Sequence, residues 1–140
     1  MNHRPDASQR SLRRLLANGR LTALPKRPSD QLLLATLAVS RMDAGKTLTE
    51  AAVNESLVAW LEDVSEPYGI DHVTMRRLLV DSRLLDRTPS GSTYIVNAAK
   101  SAEIDAVRKL SPAEVLAGIV SERDQRKQKH AALDAPSPLS

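Results

Sequence analysis

Apolar residues recur along this chain at helical rather than alternating spacing, and the stretches between them hold residues that start and stop helices. From about Ser8 to Asn18, Leu12, Leu15 and Leu16 share one face, with Arg10, Arg13 and Arg14 elsewhere. Asn18-Gly19 is a helix stop, because both residues tolerate left-handed backbone. The following Leu24-Pro25-Lys26-Arg27-Pro28 breaks regular structure. A second helix is predicted from Ser29, as N-cap, to about Met42, with Leu33, Leu34, Leu37 and Ala38 facing a core. The third is the clearest: Val53, Leu57, Trp60, Leu61 and Val64 form one stripe. Thr49 caps it, Leu48 and Val53 could staple its entry, and Glu66-Pro67-Tyr68-Gly69 ends it.

A fourth helix is predicted from Asp71, another N-cap, to about Arg83. At about 100° per residue, Ile70, Val73, Val80 and Leu84 fall on one side and Met75, Leu78 and Leu79 on the other. His72, Arg76 and Arg83 share the polar strip between. This pattern predicts a helix buried on two sides with one basic strip exposed. Leu84–Arg87 and Thr93–Val96 then flank Thr88-Pro89-Ser90-Gly91-Ser92, which reads as a β-hairpin. Three helices followed by a hairpin is the order of a winged-helix-type module. Two further helices are predicted, one over about 98–110 behind Asn97 and one opening at Ser111-Pro112-Ala113-Glu114. The last has an apolar face of Val115, Leu116, Ile119 and Val120, then becomes wholly polar from Glu122 to His130. The expected fold is therefore mainly α. It divides into a basic N-terminal arm (1–28), the winged-helix-type module (29–97), C-terminal helices (98–130) and a disordered tail (131–140).

Charge complicates this picture. The formal net charge is +3, but residues 1–28 carry +6, residues 29–97 carry −4 and residues 98–140 carry +1. An acidic module is a poor ligand for phosphate, since affinity for a nucleic-acid backbone comes chiefly from Lys and Arg. The basic excess lies in the arm, with Arg10, Arg13, Arg14, Arg20, Lys26 and Arg27. The absence of cysteine excludes disulfides and thiolate metal sites. No apolar run reaches the ~20 residues needed to cross a bilayer, and the first ten residues do not resemble a secretory signal. A cytoplasmic protein without membrane contact is expected.

Several separated blocks resemble the bacterial family known as domain of unknown function 2087. They are Gly19-Arg20-Leu21 with Leu24-Pro25-Lys26, Thr49-Glu50 with Val53-Asn54, Asp71 followed by Met75-Arg76-Arg77-Leu78-Leu79-Val80-Asp81, and Leu84-Leu85-Asp86-Arg87 with Gly91-Ser92-Thr93-Tyr94. The resemblance covers about residues 19–96, a little over half of the chain. It implies a role in transcription regulation. Some members carry the domain behind a separate helix-turn-helix domain, which implies that it can also serve as a partner-binding or sensing half. One departure is that Ala51 and Ala52 stand where the family often has a second acid after Thr-Glu, so the capping box is incomplete.

Arg76, with His72 and Arg83 on the strip, is either a groove-inserted phosphate or base contact or a solvated surface arginine. Arg77 falls within the apolar arc, where Asp81, one turn on, would pair with it, Asp71 and Asp86 being alternatives. Arg87 at the hairpin is a further phosphate-contact candidate, and Arg13, Arg14, Arg20, Lys26 and Arg27 form the arm's contribution. Val115, Leu116, Ile119 and Val120 could pair two subunits. Gly45-Lys46-Thr47 is not a phosphate-binding loop, because Ser40 stands where the first glycine belongs and a helix precedes it. His3, His72 and His130 are scattered, no Gly-x-Ser-x-Gly occurs, and no cofactor or catalytic centre is expected. Two functions follow: a regulator of double-stranded DNA, or a protein-interaction module on the same scaffold whose acidic face takes a protein partner.

Overall fold

The computed structural model describes residues 5–134 apart from Gly91. The chain is mainly helical, with a small antiparallel sheet. In order it forms α1 (Pro5–Leu15), α2 (Pro28–Val39), β1 (Leu48–Thr49), α3 (Glu50–Val64), α4 (His72–Asp81), β2 (Leu85–Arg87), β3 (Thr93–Val96), a 3-10 turn (Ala98–Lys100), α5 (Ser101–Val107) and α6 (Pro112–Asp134).

Local signals set most of the helix starts. Thr49 caps α3 by accepting from Ala52 N at 3.0 Å, and Asp71 caps α4 by accepting from Thr74 N at 2.7 Å. Ser111 does the same for Glu114 N at 3.2 Å. At α2 the expected cap, Ser29, is two residues late. Pro28 is the first helical residue and Arg27 occupies the cap without a side-chain hydrogen bond. Proline has no N–H to leave unsatisfied at that position and its φ already suits a helix. Asn97 caps the 3-10 turn, so the helix predicted over 98–110 is shorter, with α5 ending at Val107.

One core joins segments that the sequence pattern separates. The five stripe residues of α3 are all buried, as are Leu34 to Val39 of α2 without interruption, so α2 is enclosed on most sides rather than along one stripe. Leu12 and Leu16 are fully buried in the same cluster, and α1 packs against α2, α5 and α6. The N-terminal segment is thus a core helix and not an arm. Leu21 continues the tie: its N–H donates to Val64 O at 2.8 Å and its carbonyl accepts from Glu66 N at 2.9 Å. Gly69 closes this junction, since a Cβ there would lie 2.6 Å from Ser65 Oγ and 2.7 Å from Leu21 O.

The sheet has the order β1-β3-β2. Leu85, Asp86 and Arg87 pair with Val96, Ile95 and Tyr94, the hairpin expected from sequence. The third strand was not expected: Leu48 pairs with Tyr94 and Thr49 with Thr93, closing the sheet on its other edge.

Two expectations about α6 are corrected. Val115 is buried and Leu116 and Ile119 pack on the core, where α6 meets α1 and α3, so the face proposed for dimerisation is covered within the chain. Only Val120 of that set is exposed. Residues 131–134, expected in a disordered tail, continue α6, and residues 135–140 of that tail lie outside the described residues.

Candidate nucleic-acid interface

Helix α4 is fully buried along one side and only partly along the other. Met75 and Leu79 are fully buried against α2 and α3, with Leu78 half-buried beside them. Val73, expected to be in the core, is 43% exposed, and Val80 is half-buried. Of the second apolar arc, Ile70 and Leu84 are buried in the core as expected, while Val73 and Val80 line a groove of about 220 Å³ between α4 and the β2–β3 hairpin. Its lining is Val73, Arg76, Arg77, Val80 and Asp81 from α4, with Arg87 and Tyr94 from the hairpin. Three guanidinium groups meet one carboxylate there, within a module whose overall charge is negative.

Each arginine is held differently. Arg76 is half-buried and donates to Asn54 Oδ1 at 2.5 Å, which ties α4 to α3 and fixes the guanidinium. Arg87 lies over the Tyr94 ring at 5.7 Å from its centre, a cation–π arrangement. Tyr94 is itself buried and donates to Glu50 Oε1 at 3.2 Å, so the ring beneath Arg87 is anchored to the start of α3. Arg77 and Asp81 are both exposed, and their predicted ion pair is not among the salt bridges that the described residues form. An arginine amid valines marks the solvent edge of an apolar arc, its stem covering the valines while its head stays in water.

The expected strip of His72, Arg76 and Arg83 does not form. α4 ends at Asp81, and Arg83 turns the chain with φ at +63°. Arg83 N donates to Val80 O at 3.1 Å and Leu84 N to Leu79 O at 3.0 Å, the two bonds of a Schellman cap. Asn97 holds this turn through its amide, which donates to Arg83 O at 2.7 Å. His72 sits at the opposite end of α4, in a different depression.

Two arginines of the former arm are paired with carboxylates inside the fold. Arg13 makes a two-oxygen contact with Glu122 at 2.6 and 2.8 Å. This bond, with the charge of Arg13, holds the Glu122 carboxyl below its ordinary range. Arg14 reaches Asp30 at 2.8 Å, a carboxylate buried in the first turn of α2. Arg20 lines a wider cleft of about 580 Å³ with Val58, Leu61, Glu62, Glu66, Ile70, Asp71 and His72. Asp71 is held below the ordinary aspartate range, first by the Thr74 backbone N–H. Tyr68, in the loop beside this cleft, is fully exposed. Lys26 and Arg27 are exposed ahead of α2.

Among the described residues no group of three His, Cys, Asp or Glu is placed to hold a metal ion. No helix among them is long and apolar enough to cross a membrane.

No curated protein and no solved structure matches the chain. The profile of one family, described as an uncharacterized protein conserved in bacteria (DUF2087), matches residues 20–96. That span starts at the Leu21 junction and ends with β3, so it takes in the bridge to α3, α2 to α4, the sheet and every residue of the α4–hairpin groove. The chain belongs to this bacterial family of uncharacterised proteins.

Proposed function

We propose that this protein is a non-enzymatic transcription regulator that binds duplex DNA through α4 and the β2–β3 hairpin, acting in the cytoplasm. The observation that carries the reading is the convergence of Arg76, Arg77 and Arg87 on one open groove in an otherwise acidic module. The order helix, strand, helix, helix, strand, strand, with the first strand beside the last, is that of a winged helix and supports the same use. In this reading Arg77 and Arg87 take phosphates, while Arg76, oriented by Asn54, faces the groove floor.

Anisotropy of a labelled mixed-sequence duplex, titrated at several salt concentrations, tests it. Arg77→Ala with Arg87→Ala should weaken binding and lower the log–log salt slope by about 2. Wild-type protein that fails to bind at low salt, or a double variant that binds as wild type does, overturns it.

A second reading, a protein-interaction module, is favoured by the cleft beneath Tyr68. Glu62, Glu66 and Asp71 outnumber Arg20 there, above an apolar floor of Val58, Leu61 and Ile70. It predicts calorimetric binding of a Lys/Arg-rich peptide that Glu62→Lys abolishes.

A further inference from the structure

Helix α6 does two things along its length. Its first turns pack on α1 and α3, and Arg123 donates to Ala17 O at 3.1 Å. From Arg123 to His130 every residue is exposed. The helix nevertheless continues to Asp134. The packed turns supply the costly nucleus, and Arg, Lys, Gln and Ala propagate a helix well. The result is a pre-ordered helix that runs about 10 Å from Arg123 to His130 at the usual rise per residue.

Its basic side chains are not scattered. Arg123, Arg126, Lys127 and His130 fall at i, i+3, i+4 and i+7, one stripe within about 100° of arc. Lys129 borders the stripe on one side and Asp124 on the other, whereas Gln125 and Gln128 lie opposite. The stripe continues the face that carries Val115, Leu116 and Ile119, so the face that packs the core turns basic where the body ends.

We infer that this extension is a second phosphate-binding element, which lays its basic stripe along a duplex backbone; the inference rests on the DNA-binding reading above. No apolar or aromatic side chain interrupts Arg123 to His130. A protein partner would need such an anchor at the centre of its interface, whereas a phosphate backbone needs only spaced cations. The acidic cleft of a second copy is thereby the less suited occupant.

The test uses the full chain and three variants: a stripe variant (Arg126→Gln, Lys127→Gln, Lys129→Gln), a groove variant (Arg77→Ala, Arg87→Ala) and their combination. Glutamine retains helix propensity, so far-UV circular dichroism should match wild type. Duplex binding by anisotropy across salt should show the stripe variant losing about 2 to 3 from the log–log slope. The groove variant should keep the stripe's share, and the combination should lose both. Wild-type binding with an unchanged slope in the stripe variant overturns the inference and leaves the groove reading standing. Binding lost from the stripe variant but intact in the groove variant overturns the groove reading alone. A wild type that ignores duplex DNA overturns both. A monomer–dimer equilibrium in sedimentation that only the stripe variant shifts assigns the stripe to self-association and overturns the inference.

Discussion

Helices α1 and α4 look alike as sequences and differ as surfaces. Each carries neighbouring arginines, Arg13-Arg14 in one and Arg76-Arg77 in the other, and each has fully buried side chains, Leu12 in α1 and Met75 and Leu79 in α4. In α1 the arginines meet carboxylates from distant segments, Glu122 and Asp30. In α4 they face a groove where a third arginine joins them and Asp81 is the one acid. The lesson is that counting charge along a chain locates cations but not their availability. The segment with the largest positive excess has two of its arginines paired by folding, and the cationic groove belongs to the segment with a negative sum.

The largest test of this contrast is Leu12→Ala. If α1 were an arm, truncating one leucine would leave stability unchanged. As a fully buried residue it should cost about 2–5 kcal/mol, read as a lower midpoint in urea. A loss near zero would return α1 to the status of an appendage.

Arg14→Ala comes next and separates the two arginines of α1. Asp30 is 5% exposed, so removing its partner leaves a buried carboxylate with less compensation. Arg14 is itself half-exposed, which keeps the loss below that of a fully buried pair; about 1–3 kcal/mol is expected. Arg13→Ala opens a pair exposed on both sides and should barely move the melting temperature. Equal effects would refute the difference in burial on which the comparison stands.

On α4 the corresponding weak point is the cap. Asp71→Ala should cost about 1 kcal/mol. Because the Thr74 N–H lowers the folded carboxyl below its unfolded value, that contribution is complete above about pH 4 and is lost as pH falls through the folded value. The gap between wild type and variant should therefore close in acid. A gap that is constant with pH would mean that the carboxylate charge has no part in the cap.

How much of this was legible follows from the distance over which each feature is decided. The caps at Thr49, Asp71 and Ser111 act across three residues, and the α3 stripe repeats within one helix, so both could be read directly. Strand β1 is two residues long and exists because Tyr94 and Thr93 lie beside it, which no local pattern records. Val73 lies at the surface rather than in the core because helical geometry shows which residues share a face but not which faces find a neighbour. α4 is met by α2 and α3 on the Met75 side, and by the short hairpin at the other. The partners of Arg13 and Arg76, 109 and 22 residues away, were equally out of reach.

The smallest expected effect sharpens the α4 half of the comparison. Helical spacing groups Arg83 with Arg76 on one strip, yet Arg83 occupies the left-handed position that ends the helix, where a side chain carries a cost that glycine avoids. Its backbone is what the fold uses: N–H to Val80 O and carbonyl to the Asn97 amide, bonds that glycine makes equally well. Arg83→Gly should thus raise stability by about 0.5–1 kcal/mol. If α4 presents its charge through the groove, this variant should bind duplex DNA as wild type does, while Arg77→Ala binds less. Binding lost in Arg83→Gly at raised stability would move the cationic surface from the groove back to the helix end, because only the guanidinium has then been removed.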